Sequence, residues 1–142
     1  MTGMTAARSR LEEADDLPAL LEAVHQVFVA ALTALRACED PASVWFGRFV
    51  MAAASAANGR DAVIFAPSMP AHRAHATTGT GEDSPAGTAD TVAGNIASLC
   101  GLAAVRLAQA TSQAADPGDH AACVRAAQCA RRICELLAQG ET

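Results

Sequence analysis

Residues 17–38 constrain the fold of this chain most, because their apolar side chains recur at intervals of three and four. At about 100° per residue, this spacing gathers those side chains on one side of a helix that is roughly 33 Å long. Glu22 and Arg36 fall on the opposite side. Since so wide an apolar stripe must be covered, other helices are expected to pack against it. The stripe consists of Leu17, Leu20, Leu21, Val24, Val27, Phe28, Ala31, Leu32, Leu35 and Cys38.

Composition favours helices in the rest of the chain as well. Of the 142 residues, 51% are hydrophobic but only 4% are aromatic. Much of the hydrophobic share is alanine, which is the strongest helix former, whereas strands favour aromatic and β-branched residues. A chain of this length suits one domain with one core. We therefore predict a single all-α domain over residues 1–142.

Aspartate, proline and glycine residues divide the chain into four predicted helices. Short links join the first helix to the second and the third to the fourth, and such links make neighbouring helices antiparallel. The predicted fold is therefore an all-α, four-helix antiparallel bundle made of two helical hairpins joined by a long loop. The helices are expected at residues 17–38, 41–58, 88–115 and 119–139, with residues 1–15 as a frayed helical lead-in.

Residues 60–90 form the predicted connection between the two hairpins. Their prolines, glycines and threonines show no apolar periodicity, which indicates a long and partly mobile segment. The apolar residues 62–66 are expected to close one end of the bundle as a flap, with a short strand or a last helical turn as the alternatives. His72 and His75 follow. Histidines in such a loop are typically solvated, and capture of a transition metal is the alternative.

The charge balance argues against a nucleic-acid partner. The formal net charge is −5, and all ten basic residues are arginines. Arg125, Arg131 and Arg132 form the only group of three arginines within one short stretch of the sequence. Phosphate backbones call for a clustered basic surface, and three arginines on a terminal helix are more typical of a solvated face.

A cytoplasmic protein without a membrane anchor is expected. The N-terminal residues lack the apolar region of a secretory signal. The longest apolar run, residues 96–105, is about half of a membrane span, which indicates a buried helix. In a reducing compartment the five cysteines are expected to be free thiols.

Sequence patterns typical of enzymes are absent. The chain has no Gly-rich phosphate loop after a strand and no His-Glu-x-x-His motif. No local spacing links a serine to a histidine as nucleophile and base. An enzyme is therefore disfavoured, and no cofactor is expected.

Arg106 is the main candidate for a functional charged residue, because its helical angle places it inside the apolar stripe of the third predicted helix. A buried guanidinium needs a carboxylate or other acceptors. Structural pairing, or extension to the helix edge, is the expected outcome, with an anionic ligand or a partner chain as the alternative. A ligand pocket would join Arg106 to Trp45, Phe49 and Phe65.

His120 and Cys123 are the candidate metal ligands. Their spacing of three on a helix can bring an imidazole and a thiolate to one metal ion. Two ligands make only half of a tetrahedral site, and buried cysteine usually behaves as a small hydrophobic residue. Packing is therefore the expected role of this pair.

The predicted helices carry more apolar face than one small bundle can hide. We therefore expect a non-enzymatic helical-bundle protein that acts through protein–protein contacts, as a homodimer or with another protein. The contact would use exposed apolar residues of the second and fourth helices or the small residues of the third. The alternative is a bundle that binds a small apolar or anionic ligand with Arg106 as polar anchor, and a weaker alternative is a thiol/imidazole metal-binding bundle. The small residues of the third helix are Gly94, Ala97, Gly101, Ala104 and Ala108.

Overall fold

The computed structural model describes residues 2–70 and 88–138. These residues form five α-helices and contain no strand, which confirms the all-α prediction. The helices are α1 (Thr2–Glu13), α2 (Leu17–Ala37), α3 (Phe46–Ile64), α4 (Ala89–Thr111) and α5 (Pro117–Ala138).

Helix α2 lies at the centre of the core. Asp16 is its N-cap, and the Asp16 side chain accepts a hydrogen bond of 2.9 Å from the Ala19 backbone N–H. Pro18 follows in the first turn, where its missing N–H costs nothing. Helices α1, α3 and α4 all contact α2. Eight of the ten residues of the predicted stripe are therefore buried, while Leu17 and Cys38 at its two ends are half-buried. The buried residues of α2 are Leu20, Leu21, Ala23, Val24, His25, Val27, Phe28, Ala31, Leu32, Ala34 and Leu35.

Helix α1 is an additional helix, because the sequence predicted four helices and a frayed lead-in over residues 1–15. It contacts α2 and α4, and its Met4, Ala7 and Leu11 side chains are buried. Burial of a leucine contributes about 2 kcal/mol, which opposes fraying of the lead-in. Arg8 also donates a hydrogen bond of 2.7 Å to the Ser98 hydroxyl on α4. The apolar stripe of α1 is short and contains only two large side chains, Met4 and Leu11, so it predicts a packed helix only weakly.

Helix α3 begins and ends later than predicted. Residues 40–45 form a turn instead of a first helical turn, since the Asp40 carboxylate accepts from the Ala42 N–H at 3.0 Å and the Asp40 carbonyl accepts from the Ser43 N–H at 2.9 Å. The predicted stop at Asn58-Gly59 is wrong. Gly59 lies inside the helix, where its missing side chain makes room for the Phe28 ring.

Of the apolar residues 62–66, the first three form the end of α3 and the last two form the turn that follows, so this segment is not a flap. Val63 and Ala66 are buried, while Phe65 between them is 82% exposed. Beyond them, Ser68 is fixed to α5, because the buried Asp119 carboxylate accepts from the Ser68 N–H at 2.9 Å and from its hydroxyl at 2.6 Å. The rest of the predicted connection, with His72 and His75, lies outside the described residues.

Helices α4 and α5 form the most extensive helix pair among the described residues. Thr88 is the N-cap of α4 and accepts a hydrogen bond of 3.2 Å from the Thr91 N–H. Towards the same end of the pair, the Cys134 thiol of α5 donates to the Ala97 carbonyl at 3.1 Å. Further contacts join α3 to α5, α2 to α3 and α2 to α4, so each of these four helices touches two others.

Helices α2 and α4 are both long and apolar enough to cross a membrane when only length and composition are considered. Core helices of soluble proteins meet the same criterion. In α2 and α4, 56% and 44% of the apolar window is buried inside the protein. The finding is therefore weak evidence for a membrane segment.

Candidate functional site

Trp45 and Phe49 pack together where α3 begins. Their ring centroids are 5.3 Å apart, and both side chains are buried. The Trp45 Nε1–H donates a 2.5 Å hydrogen bond to the Asp90 carboxylate in the first turn of α4. The Arg48 guanidinium stacks on the Trp45 ring at 4.7 Å from its centroid. These contacts fill the aromatic end of α3 with side chains of the protein itself.

Phe65 and Arg106 do not join Trp45 and Phe49. Phe65 follows the last turn of α3, and at 1.5 Å per residue it lies about 30 Å along the chain from Trp45. Arg106 is similarly about 24 Å along α4 from Asp90, the hydrogen-bond partner of Trp45. The four residues predicted to line one pocket are therefore spread over distant parts of the described structure.

The Arg106 guanidinium caps the C-terminal end of α1. Its Nη1 donates to the Leu11 carbonyl at 2.6 Å, and its Nη2 donates to the Ala14 carbonyl. The last carbonyls of a helix have no partner inside the helix and carry the negative end of its dipole. A cation there satisfies both needs. Among the described residues, Arg106 thus pairs with backbone carbonyls and with no carboxylate.

A groove of about 630 Å³ lies beside this cap. Asp15 and Asp16 come from the link between α1 and α2, while Arg106, Gln109 and Gln113 come from α4. Carboxylates, amides and one guanidinium therefore converge on a cleft whose volume is typical of small-molecule sites. The apolar part of its lining consists of Leu17, Leu20, Ala110 and Ala114.

His120 and Cys123 differ strongly in accessibility. His120 is exposed, and its Nδ1 lies 3.1 Å from the Thr111 carbonyl. Cys123 is fully buried, and burial together with the nearby Asp119 carboxylate raises the pKa of its thiol. No group of three potential metal ligands among histidine, cysteine, aspartate and glutamate occurs within residues 2–70 and 88–138.

All five cysteines are free thiols. Burial is the main factor that raises the pKa of each one, and in Cys100 the neighbouring Cys134 adds to the effect. Because the thiolate is the nucleophile and the metal ligand, a raised pKa keeps these side chains unreactive at neutral pH. Cys100 and Cys123 are fully buried and pack in the core, and the half-buried Cys134 donates its hydrogen bond to α4.

The outward side of α3 carries or adjoins most of the large apolar side chains that are exposed in the described residues. Val50 and Met51 on this helix are 41% and 45% exposed, and Val44 just before it is 86% exposed. Phe65 just after it is 82% exposed. We call the exposed residues along this side the α3 stripe. It consists of Gly47, Val50, Met51, Ala54, Asn58, Asp61 and Phe65.

The small residues of α4 do not share one environment. Gly94 and Ala108 are exposed, whereas Ala104 is buried. Gly101 is half-buried against α5, where an added Cβ would lie 3.5 Å from the Cys134 Sγ. Part of the predicted small-residue face is thus used inside the chain, in the contact between α4 and α5.

His25 is a buried histidine on α2, and its burial and the nearby Arg60 charge both lower its pKa below 6.5. The folded protein therefore holds His25 in its neutral form.

The contribution of neutral His25 to the free energy of unfolding is complete above about pH 6.5 and is lost as the pH falls towards and through the lowered pKa. We expect the melting temperature to decrease over that range, with a contribution of at most about 1.4 kcal/mol per pH unit. Thermal melts of wild type and H25Q should converge as the pH falls; parallel curves would contradict this role.

Comparisons with protein-family models, curated proteins and solved structures found no match to this chain.

Proposed function

We propose that this chain is a non-enzymatic helical protein that acts through protein–protein contacts as a homodimer. We also propose that α2 to α5 form an antiparallel four-helix bundle of two hairpins, α2 with α3 and α4 with α5, with α1 packed on its side. The neighbours Phe28 and Gly59 in the first pair, and Ala97 and Cys134 in the second, support antiparallel hairpins.

The observation that carries the homodimer is the α3 stripe. Four of the five large apolar side chains exposed in the described structure lie on α3 or directly beside it. Apolar side chains scattered singly over a surface need no explanation, but their concentration along one helix supports a contact surface. Covering an exposed phenylalanine or methionine is worth about 1.5–3 kcal/mol for each side chain, which is the scale that association requires.

Introducing charge into the α3 stripe is expected to dissociate the dimer. The double variant M51E/F65E changes two exposed side chains, so the fold of each subunit should remain intact. The dissociation constant is expected to rise at least tenfold, since a carboxylate cannot be buried unpaired at an interface. Light scattering over the micromolar range distinguishes the 14.4 kDa monomer from its dimer.

The matched control is V105E, which places the same charge at a 55% exposed valine on α4. It should leave the wild-type mass unchanged. Dissociation by V105E and not by M51E/F65E would move the interface to α4. A wild-type protein that remains monomeric throughout the micromolar range would refute the homodimer.

A second candidate function is binding of a small polar ligand in the groove beside Arg106. The convergence of Asp15, Asp16, Gln109 and Gln113 with one guanidinium favours a guest that carries both charged and hydrogen-bonding groups. A thermal-shift screen with amino acids and small dicarboxylates tests this proposal, and a melting temperature unchanged by every compound counts against it.

A further inference from the structure

We propose that the groove beside Arg106 binds a small zwitterion of the amino-acid class. In this arrangement the Asp15 and Asp16 carboxylates hold the ammonium of the ligand, and the Arg106 guanidinium holds its carboxylate. The inference rests on the second candidate function, ligand binding in this groove, and specifies the chemistry of the ligand. The groove volume of about 630 Å³ is sufficient for a molecule of this size.

Two separate parts of the chain bring opposite charges to the groove. Asp15 and Asp16 come from the link between α1 and α2, whereas Arg106 comes from α4. Within the described residues, Arg106 forms no ion pair with either carboxylate. Opposite charges that line one cleft without pairing with each other are each available to the opposite charge of a ligand. A zwitterion supplies both charges in one molecule.

The acidic side of the groove is held by the start of α2. The Asp16 Oδ1 accepts the Ala19 N–H at 2.9 Å as the N-cap of this helix, which fixes the direction of the carboxylate. The Asp16 Oδ2 and both carboxylate oxygens of Asp15 have no hydrogen-bond partner among residues 2–70 and 88–138. These oxygens are therefore available to accept the three N–H groups of an ammonium.

The basic side of the groove is held by the C-terminal end of α1. The Arg106 Nη1 and Nη2 donate to the Leu11 and Ala14 carbonyls. A guanidinium has five N–H groups, so three remain to donate to a carboxylate of the ligand. Because the two carbonyls already fix the guanidinium, little side-chain entropy is lost when a ligand binds to it.

Gln109 and Gln113 complete the polar lining of the groove. Positions 106, 109 and 113 are three and four residues apart, so at about 100° per residue they share one side of α4. Gln113 follows the last residue of α4 and continues its turn, because its N–H donates to the Ala110 carbonyl at 3.0 Å. Each amide side chain can donate and accept hydrogen bonds without a net charge. The amides therefore add polar contacts and leave the selection of the ligand to the charges.

The same charges disfavour other small charged ligands. A dicarboxylate would bring its second carboxylate against Asp15 and Asp16, and a diamine would bring its second ammonium against Arg106. Like charges in contact disfavour binding. Since Asp15 and Asp16 are exposed, water screens their ion pairs in part. The dissociation constant of the zwitterion is therefore expected at about 0.1–1 mM.

Ligands matched in chain length test this chemistry with the full-length, unmodified chain. Glycine, 4-aminobutyrate and 6-aminohexanoate are compared with the dicarboxylates and the diamines that have the same number of carbons, by isothermal titration calorimetry. The lengths cover short and long separations of the two charges. At least one zwitterion is expected to bind, with a dissociation constant at least tenfold below those of the dicarboxylate and the diamine of its length.

The variant D15N/D16N assigns the binding to the groove. Asparagine is as good an N-cap as aspartate, so α2 should remain intact. The dissociation constant of the zwitterion is expected to rise at least tenfold, because both carboxylates that hold the ammonium are removed. The matched control E39Q/E135Q removes two exposed carboxylates elsewhere in the chain and should bind the zwitterion as wild type does.

The outcomes separate the class of ligand from ligand binding itself. A dicarboxylate or diamine that binds more tightly than its zwitterion, with an affinity that D15N/D16N changes, would overturn the zwitterion and leave ligand binding in the groove in place. Binding that D15N/D16N leaves unchanged would lie outside the groove and overturn the inference. Absence of binding by every compound at millimolar concentration would overturn both this inference and the second candidate function.

Discussion

Replacing Gly59 with alanine is expected to lower the free energy of unfolding by about 2 kcal/mol or more, although alanine is the better helix former. Gly59 is buried within α3. A Cβ built there would lie 2.6 Å from Cε1 and 2.7 Å from Cε2 of Phe28, and still closer to its Cζ. Real Cβ atoms essentially never approach closer than 3.0 Å, and the Phe28 ring is fully buried and has no space to retreat. The melting temperature should fall by about 6 °C or more in a chain of this size.

Gly94 provides the matched control, because it is exposed within α4 and an added Cβ meets nothing within 4 Å. G94A should therefore stabilise the protein by about 0.5–1 kcal/mol through helix propensity alone. A smaller side chain at Phe28 should relieve the clash, so the loss in G59A/F28L should be less than the sum of the two single losses. Urea unfolding of G59A, G94A, F28L and G59A/F28L measures these changes in the free energy of unfolding. A G59A protein as stable as G94A would refute the close contact.

The same glycine explains why the sequence predicted helix α2 well and helix α3 poorly. In α2 the apolar residues repeat without interruption, so periodicity alone identified both the helix and the side that is buried. In α3 the pair Asn58-Gly59 has the composition of a helix end. The reason for glycine at position 59 is the ring of Phe28, which lies 31 residues earlier in the chain, and no local pattern carries that information.

The exposed side of α3 could not be assigned from the sequence for a related reason. Val50, Met51 and Phe49 are neighbours of similar hydrophobicity, yet only Phe49 is fully buried. A helix that is apolar on more than one side does not reveal which side meets the core. That choice depends on where α2 and α5 lie, which only the packed structure shows.

The helical angle of Arg106 predicted a guanidinium in an apolar stripe that needs a carboxylate or other acceptors, without identifying which groups those are. In the structure they are the Leu11 and Ala14 carbonyls. Those carbonyls became available because α1 is a packed helix that ends beside α4. With α1 treated as a frayed segment, its C-terminal end could not be recognised as the site that needs a cation.

Replacing Arg106 with methionine is expected to destabilise the protein by about 2 kcal/mol. Methionine keeps the apolar length of the side chain but removes two charge-assisted hydrogen bonds, and it leaves the last carbonyls of α1 without their cation. Because α1 contacts α2 and α4 and no other helix extensively, the loss should concentrate there. Hydrogen exchange of the α1 amides should accelerate strongly, while the amides of α5 should change only with global stability.

The variant R106K separates the two roles that Arg106 can have. A lysine ammonium can reach one carbonyl and retain the favourable charge at the helix end, but it cannot donate to two carbonyls as a planar guanidinium does. We therefore expect R106K to recover about half of the stability lost in R106M and part of the α1 protection. If the only role of Arg106 were to bind an anionic ligand, R106K and R106M would match wild type in the absence of ligand. They would match it both in stability and in the hydrogen exchange of the α1 amides. Equal protection of α1 in all three proteins would thus exclude the capping role and leave the groove as the reason for the arginine.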